Sequence, residues 1–384
     1  MRIYTIIITI LILLLCGCET VSIYDAGPLA KEYRAIPMSV FQDSILHARY
    51  EFKDYQPPYP VYTAKQIAGV AENMLLLQRE DGGWPKNVDW MQILDEKSLV
   101  SVRSAASGEK STLDNRSTYS HIDYLAQVYA QIPNENYKKS IEKGIAWMLS
   151  VQNRDSGGFS GADVDAVTYN DDVMTGVLTT LRGIGRNDKL YGFLDQEIRQ
   201  KAMDSYFRGL KCVLDTQIKI KGKLTAWCQQ HDHKTLQPIW ARNYEPPSIT
   251  ASESVGILIM LMEIDDPSES VKKAIIAGCE WLESATIFGK KLVRIPAPPA
   301  TLNGRYSDYE RVMEDDASAT PIWCRFYDLE TQKPLLYDRN FKKVNHYNEI
   351  SRERRVGYSY FGTWPEPLLN SVYPAWRKKM GLDK

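Results

Sequence analysis

Hydrophobic side chains recur every three to four positions through most of the middle of the chain, which is the period of an amphipathic α-helix. The pattern predicts helices at residues 63–78, 119–131, 140–152, 173–184, 196–214, 254–264 and 271–285. A shorter helix is predicted near residues 40–50. Alternation typical of β-strands is sparse before the last hundred residues. The sequence therefore predicts a mainly helical protein with long irregular loops and a few short strands.

Two of these helices end in the same way, which indicates an internal repeat. Residues 71–87 and 145–161 share an apolar stripe, a glutamine (Gln78 and Gln152) and a Gly-Gly pair followed by an aromatic residue. Glycine after a helix readily takes the left-handed conformation that ends it. Each unit is therefore predicted to be a helix that stops at its glycine pair.

Successive helices joined by loops predict an (α/α)₃ toroid of helical hairpins. The predicted pairs are residues 63–78 with 119–131, 140–152 with 173–184, and 196–214 with 254–264. In such a ring the inner helices all run in the same direction, so their amino termini lie at one end. Polar residues that precede the inner helices are therefore expected to converge.

The amino terminus predicts export. Residues 1–17 have a basic start and an apolar run that is too short, and wrongly flanked, for a membrane span. The following Cys18 ends a segment similar to a bacterial lipobox, so it is predicted to carry a lipid, with a plain signal peptide or an unprocessed anchor as the alternative. Residues 18–60 then form a tether and 61–384 the catalytic domain. We expect a lipoprotein of the outer membrane, cell surface or periplasm, anchored without spanning the bilayer.

Charge and cysteine content narrow the class of protein. A formal net charge of −1 argues against a nucleic-acid partner, and we expect a monomer. Cys212, Cys228, Cys279 and Cys324 have no metal-ligand spacing, so buried or free thiols are favoured over a disulfide framework. The five histidines lack zinc-site spacing.

Acidic residues cluster before the predicted inner helices. Asp114 precedes the first of them, and Asp171 and Asp172 precede the second. A helix cap needs one acceptor, and two adjacent carboxylates repel each other, so capping explains the pair poorly. Three converging carboxylates without a soft ligand suit a hard cation, and calcium more than magnesium because its geometry is looser.

Arginines supply the opposite charge. Arg242 stands in a proline-stiffened loop before the third inner helix, although a surface position or an ion pair would also explain it. Arg325 and Arg339 follow in a region rich in tyrosine and tryptophan. Guanidinium groups bind carboxylates through paired hydrogen bonds, so this region suits an anionic sugar. For Arg352, Arg354 and Arg355 a structural role is favoured.

Several of these blocks resemble the family-ten pectate lyases over roughly residues 62–369. The blocks are DGGWPKN, STLDN, YNDDVM, QQHDHKTLQPIWARNYEPPSITASESVGI, RFYDLET and ERRVGYSYFGTWP. The resemblance implies the (α/α)₃ toroid and calcium-assisted cleavage of polygalacturonate, an acidic polysaccharide, by β-elimination.

Site residues follow from the same resemblance, position by position. It implies that Arg242 is the catalytic base and that Asp114, with the segment carrying Asp171 and Asp172, binds calcium. The residues expected to contact the substrate are Asn115, His231, Arg325, Arg339 and Trp364.

The sequence also departs from the family pattern. Residues 157–161 replace a usual Trp-Pro-Gln, the histidine expected near Val167 or Thr168 is missing, and Arg116 stands where a small residue is common. These changes put subsite preference and rate in question. A surface protein that binds glycans without cleaving them remains an alternative.

A second alternative is another class of enzyme. An inverting glycoside hydrolase on the same kind of helical toroid would use Asp171 or Asp172 as its base and Glu245 or Glu253 as its acid. It would release saturated sugars, so its products would lack the ultraviolet absorbance of an unsaturated uronate.

Overall fold

The long helices predicted from hydrophobic periodicity are all present in the structure, a computed structural model that describes residues 29, 31–107 and 110–382. The α-helices are α1 (Gln42–Ala48), α2 (Ile67–Leu77), α3 (Glu96–Ser107), α4 (Tyr119–Tyr129), α5 (Glu135–Ser150), α6 (Val173–Gly185), α7 (Gln196–Asp215), α8 (Ala251–Met262), α9 (Glu269–Ser284), α10 (Arg352–Gly357), α11 (Pro365–Pro367) and α12 (Tyr373–Lys379). Of the longer helices, only α3 was not predicted.

Short strands and tight helical turns fill the connections. The strands are β1 (Val167–Thr168), β2 (Lys219–Ile220), β3 (Lys223–Leu224), β4 (Gln230–His231), β5 (Ile249–Thr250), β6 (Lys290–Leu302), β7 (Arg305–Asp315), β8 (Trp323–Cys324), β9 (Phe326–Tyr327), β10 (Leu336–Asp338), β11 (Lys342–Val344) and β12 (Phe361–Gly362). They pair two by two, all antiparallel. The long hairpin β6–β7, residues 290–315, is called the arm below.

Helix α4 packs against α5, α6 against α7, and α8 against α9. Short connections make sequence neighbours pack antiparallel. The predicted contact between α2 and α4 is found. The other two predicted pairs are not, because α5 packs closely on α4 instead of α6, and α7 packs on α6 instead of α8. Helices α4, α6 and α8 also contact one another in that order, and residues from all three line one cavity of about 270 Å³.

The internal repeat has a third copy that the sequence pattern did not reveal. In each copy a glutamine side chain donates to a nearby loop carbonyl and to a carbonyl in the next outer helix. Gln78 bonds Gly82 and Ser140 at 2.7 and 2.9 Å, and Gln152 bonds Gly157 and Ser205 at 2.8 and 2.9 Å.

The third glutamine, Gln217, bonds Thr225 at 2.8 Å and Ala274 at 2.9 Å. Its loop replaces the glycine pair with the small hairpin β2–β3, which hides the relationship in the sequence. In the first two copies the glycine is required, because a Cβ at Gly82 or Gly157 would lie 2.4 or 2.6 Å from a carbonyl of the neighbouring helix. Three similar corners thus link four helices in succession: α2, α5, α7 and α9.

The amino-terminal segment is only partly a tether. The predicted signal peptide (residues 1–17) and Cys18 lie outside the described residues. Residues 38–55, called the strap below, pack on the helical body instead of leading away from it. Phe41 is fully buried between His121 and Tyr124, and Arg49 forms an ion pair with Asp89 at 2.6 Å. None of the helices described is long and apolar enough to span a bilayer.

All four cysteines expected to be thiols, Cys212, Cys228, Cys279 and Cys324, are buried and unpaired. Burial raises the thiol pKa of Cys212 and Cys324 to about 12 and that of Cys228 to about 11. These side chains contribute apolar volume to the core.

Candidate active site

A polar cavity of about 290 Å³ lies where the turns that precede α4 and α6 meet the loops of the carboxy-terminal region, and it is called the arginine cavity below. Its lining residues are Asp43, His47, Tyr50, Asn115, Asn170, Asp171, Arg242, Arg305, Arg311, Arg325, Val356, Gly357, Tyr358 and Ser359. A neighbouring cavity of about 300 Å³ shares Asp43 and Asp171 and adds Arg116, Asp172 and Glu253. Residues widely separated in sequence, among them Asn115, Asp171, Arg242 and Arg325, are therefore brought together as predicted.

Two matching turns present the acidic residues. Asp114–Arg116 and Asn170–Asp172 are single 3₁₀ turns that contact each other. In both turns the second and third residues have positive φ, between 48° and 58°. Side chains other than glycine rarely adopt this conformation, and such strain concentrates at functional sites. The shared geometry shows that the two turns are equivalent.

Asp114 and Asp171 form a closely coupled carboxylate pair. Burial raises the pKa of Asp171 well above its usual value, and the negative charges of Asp114 and Asp43 and a hydrogen bond with Asp114 raise it further. Nζ of Lys86 lies 2.7 Å from Oδ2 of Asp114, and the side-chain amide of Asn170 donates to Asp171 at 2.8 Å. Two carboxylates this close need a shared proton or a cation between them.

Asp172 does not join this pair. Its carboxylate bonds the guanidinium of Arg116, the residue that departs from the family pattern. Asp172 therefore lies in an ion pair outside the pair formed by Asp114 and Asp171, and the predicted binding of calcium by three carboxylates stays a prediction. Across the described residues, no group of three or more histidine, cysteine, aspartate or glutamate side chains is arranged to hold a metal ion. The donors that fit a hard cation are Asp114 and Asp171, beside the amides of Asn115 and Asn170.

Arg242 is held by a buried carboxylate. Its Nε and Nη2 donate to the two oxygens of Glu245 at 2.8 and 2.6 Å, while Asp163 lies 3.5 Å from Nε. Burial alone would lower the pKa of Arg242, but Glu245 outweighs that effect and raises it. The Arg242 side chain is nevertheless 37% exposed and lines the arginine cavity. In this state it is a firmly charged guanidinium beside the cavity.

Glu245 has a full set of partners. Besides Arg242 it accepts hydrogen bonds from Tyr358 at 2.8 Å and from Gln229 at 3.0 Å. Burial would raise the pKa of Glu245, but the bonds from Arg242 hold it below its usual value. Glu253 is likewise paired with Arg325, at 2.8 Å. Neither glutamate is placed as the protonated acid that an inverting glycoside hydrolase requires.

The remaining predicted substrate residues are distributed unevenly. Arg325 lines the cavity and stacks on the Tyr358 ring at 4.7 Å. Arg339 lies outside it, held in a bidentate ion pair with Glu353, with both distances 3.0 Å. Trp364 lines a separate cavity beside the arm.

His231 does not reach the arginine cavity, so the substrate contact predicted for it is not observed. Its side chain is fully buried, Nε2 accepts from the Cys228 amide and Nδ1 donates to the Leu236 carbonyl, both at 3.0 Å. Burial lowers its pKa to about 4. The histidine holds its loop in place.

The altered block at residues 157–161 lies mainly in the core. Phe159 is fully buried, as Trp84 and Trp227 are in the other two repeat copies. Gly161 is the member next to the site, since a Cβ there would lie 3.2 Å from Oδ1 of Asp114. The change from the family pattern is therefore chiefly a change of packing.

Sequence analysis missed five residues of the arginine cavity. Asp43, His47 and Tyr50 come from the strap, and Arg305 and Arg311 come from the arm. The spacing of the strap residues, at positions i, i+4 and i+7, is the signal that one helical face was involved. No comparable pattern marks the two arginines.

Comparisons with known proteins point to one family. A family model for pectic acid lyase matches residues 78–369. A family 10 polysaccharide lyase from Cellvibrio cellulosa is similar in structure, with a TM-score of 0.66, 25% sequence identity, and coverage of 91% of this chain and 99% of that chain. A mutant of a family 10 polysaccharide lyase from the same organism, in complex with trigalaturonic acid, has the same score and identity and covers 89% of this chain and 99% of its own.

The search of curated proteins found no match. The family match spans well over half of the chain, and the structural similarity extends over nearly all of it. The chain therefore belongs to the pectic acid lyase family and is a polysaccharide lyase.

Proposed function

We propose that the protein is a calcium-dependent pectate lyase that cleaves polygalacturonate by β-elimination and releases unsaturated oligogalacturonates. The observation that carries the proposal is the combination of opposite charges in one cavity, which Asp171 lines together with Arg242 and Arg325, while Asp114 bonds Asp171 beside it. A polyanionic sugar needs arginines for its carboxylates and a cation where carboxylates face it. The related lyase bound to trigalaturonic acid supports a substrate of this chemistry.

The elimination removes the C5 proton of a uronate unit and breaks the C4–O bond. The electron pair of the C–H bond forms the C4=C5 double bond, and the departing oxygen takes up a proton. Negative charge builds on the adjacent carboxylate as the proton leaves, so a fixed guanidinium there lowers the barrier. Arg325, which lines the cavity, is the guanidinium proposed to bind this carboxylate.

Arg242 is the proposed base. A base must be neutral, and its pair with Glu245 favours the charged form. The proposal therefore requires the substrate complex to weaken that pair, and it predicts that activity increases toward alkaline pH. Asp114 and Asp171 would hold the calcium ion, which when bound neutralises a uronate carboxylate and makes the C5 proton more acidic.

We also infer that the helices complete the predicted (α/α)₃ toroid. Three corners built around Gln78, Gln152 and Gln217 link successive outer helices, and the inner helices share one cavity. A monomer is also proposed.

The anchor is proposed from the sequence of the first residues, with export to the outer membrane, cell surface or periplasm. Cys18→Ser should leave the protein unprocessed or soluble while lyase activity persists. Fractionation of cells that express both forms tests this. Normal cleavage with unchanged membrane association would place the anchor elsewhere.

The activity itself is tested by incubating the protein with polygalacturonate and following the ultraviolet absorbance of the unsaturated product. Calcium should restore activity that a chelator removes, and Arg242→Ala should serve as the inactive control. Saturated products would indicate hydrolysis, and binding without products would indicate a glycan-binding protein. Full activity in excess chelator would remove calcium from the mechanism.

A further inference from the structure

The strap and the arm meet beside the arginine cavity. The Tyr306 amide of the arm donates to the Tyr50 carbonyl of the strap at 3.1 Å. The guanidinium of Arg305 lies 4.6 Å from the centre of the Tyr50 ring and bonds the Tyr55 hydroxyl. Lys53 and Asp308 add a distant ion pair at 3.9 Å. The strap therefore holds the tip of the arm against the helical body.

The strap is itself firmly placed. Phe41 is buried in the main core, and Ser44 exchanges hydrogen bonds with the Val88 backbone at 3.1 and 3.2 Å. Nδ1 of His47 donates to the Asp43 carbonyl at 2.8 Å, and Nε2 bonds the Tyr50 hydroxyl at 3.1 Å. The face that carries Asp43, His47 and Tyr50 thus forms a rigid wall of the arginine cavity.

Arg311 stands at the junction of two cavities. It lines the arginine cavity and also a cavity of about 500 Å³ between the arm and residues 359–367, called the arm cavity. Ser359 lines both as well, so the two spaces adjoin. The arm cavity carries the aromatic rings of Phe361 and Trp364 and a second arginine, Arg294.

The cavity arginines differ in their existing partners. Arg242 and Arg325 are paired with buried glutamates, and Arg305 is engaged by two tyrosines. The Arg311 guanidinium forms neither a hydrogen bond nor an ion pair with any residue in the described part of the chain, although the residue is half-buried. A guanidinium carries five N–H donors in a planar fork that matches a carboxylate.

We propose that the strap and the arm build a uronate-binding subsite next to the reacting unit, in which Arg311 binds the carboxylate of a neighbouring galacturonate residue. The arm cavity accommodates that sugar ring beside Trp364, and the Tyr50–Arg305 contact fixes the arm so that Arg311 stays at the junction. The proposal rests on the proposed function, since it assumes a galacturonate chain. It assigns to the amino-terminal strap, outside the residues of the family match, a role in substrate selection.

The test is the dependence of binding and KM on chain length, measured with saturated di-, tri-, tetra- and pentagalacturonate by calorimetry and with the same oligomers as substrates. In the unmodified protein, affinity should increase from the shortest to the longest oligomer. Arg311→Ala should reduce this gain about tenfold, because one charge-assisted hydrogen-bonded contact is lost. Arg311→Lys, which keeps the charge but not the fork, should recover only part of it.

Lys291→Ala is the matched control, because it removes one positive charge from the same strand pair, β6–β7, at a residue that lines neither cavity and pairs with Asp316. It should retain the full gain with length. Tyr50→Ala should lower the gain in the same direction as Arg311→Ala, whereas Tyr50→Phe, which keeps the ring under Arg305, should not.

If a folded Arg311→Ala protein lost the same affinity for oligomers of every length, or lost none, the proposed subsite would be overturned. If the unmodified protein bound no oligogalacturonate, the proposed function would be overturned instead. Measuring the unmodified protein with the same series of oligomers separates these two outcomes. Melting curves of each variant establish that it is folded. Should Arg311→Ala not fold, Arg311→Lys decides, since an unchanged length dependence in that variant would also overturn the proposal.

Discussion

The two sides of the arginine cavity are built in different ways. The carboxylate side consists of two equivalent turns, Asp114–Arg116 and Asn170–Asp172, each fixed at the start of an inner helix. The arginine side consists of residues from loops, the arm and the carboxy-terminal region. Helix geometry repeats, so it can place like charges together at one end. Loops have no such symmetry and can place each guanidinium individually. Opposite charges facing each other across a cleft result from combining a repetitive scaffold with an irregular one.

The arginine side is expected to be the more sensitive to single changes. Arg242→Ala and Arg242→Lys should both lower kcat by about 10²–10⁴-fold, because positioned proton transfer is lost. Oligogalacturonate should still bind, which calorimetry checks. A lysine variant that keeps a tenth of the kcat would assign the base to another residue and would leave Arg242 as a binding group.

On the carboxylate side, Asp171→Ala and Asp114→Ala should lower activity by about a hundredfold, the effect of losing a Lewis acid worth several kcal/mol. Asp172→Ala is the matched comparison within the same turn, and it should cost much less because Asp172 pairs with Arg116. Rates measured across a calcium titration distinguish the three variants. Equal losses for Asp171 and Asp172 would show that the turn acts as one unit.

Glu245 should influence the activity through Arg242, because it raises the pKa of that residue. The neutral fraction of Arg242 grows as pH rises toward its pKa, so activity should increase with pH in the alkaline range. Glu245→Gln removes the charge that raises the pKa of Arg242, so the rising limb of the pH–activity profile should move to lower pH. The value of kcat should also fall, because Arg242 is positioned less firmly. Tyr358→Phe, which removes a bond to Glu245 but no charge, should leave the limb nearly in place. A limb that does not move in Glu245→Gln would disconnect it from Arg242.

The smallest expected effect concerns the scaffold. Gln152→Ala leaves the carbonyls of Gly157 and Ser205 without their donor, so the free energy of unfolding should fall by about 1–3 kcal/mol. Gln217→Ala should cost a similar amount, since its two bonds have the same lengths to within 0.1 Å. Denaturant unfolding measures both. A negligible loss at Gln217 alone would show that the third corner is similar in form but not in energy.

Sequence periodicity predicted the helices because each buries one apolar face, and such a face leaves a regular signal. The same reasoning predicted that residues before the inner helices converge, and Asp171 and Arg242 do line one cavity. It did not predict the ion pair of Asp172 with Arg116, since the direction of the Asp172 side chain depends on a turn with two positive φ values. The third repeat was missed because a hairpin replaces the glycines after Gln217.

The strap and the arm were missed for a different reason. Their role depends on contacts between chain segments about 250 residues apart, such as that of Arg305 with Tyr55. Pairings of that kind leave no local pattern in a single sequence. His231 illustrates the converse, because a histidine in a distinctive block can serve its loop alone.

The four buried thiols give the protein a particular chemical character. Their raised pKa values leave almost no thiolate at neutral or mildly alkaline pH, and thiolate is the form that reacts with oxidants and alkylating reagents. Cys212 and Cys279 lie in α7 and α9, Cys324 lies in the short strand β8, and Cys228 lies in the loop between β3 and β4. The rate at which a thiol reagent modifies each position would then report how often that part of the molecule opens, and the natural sequence already contains the four probes.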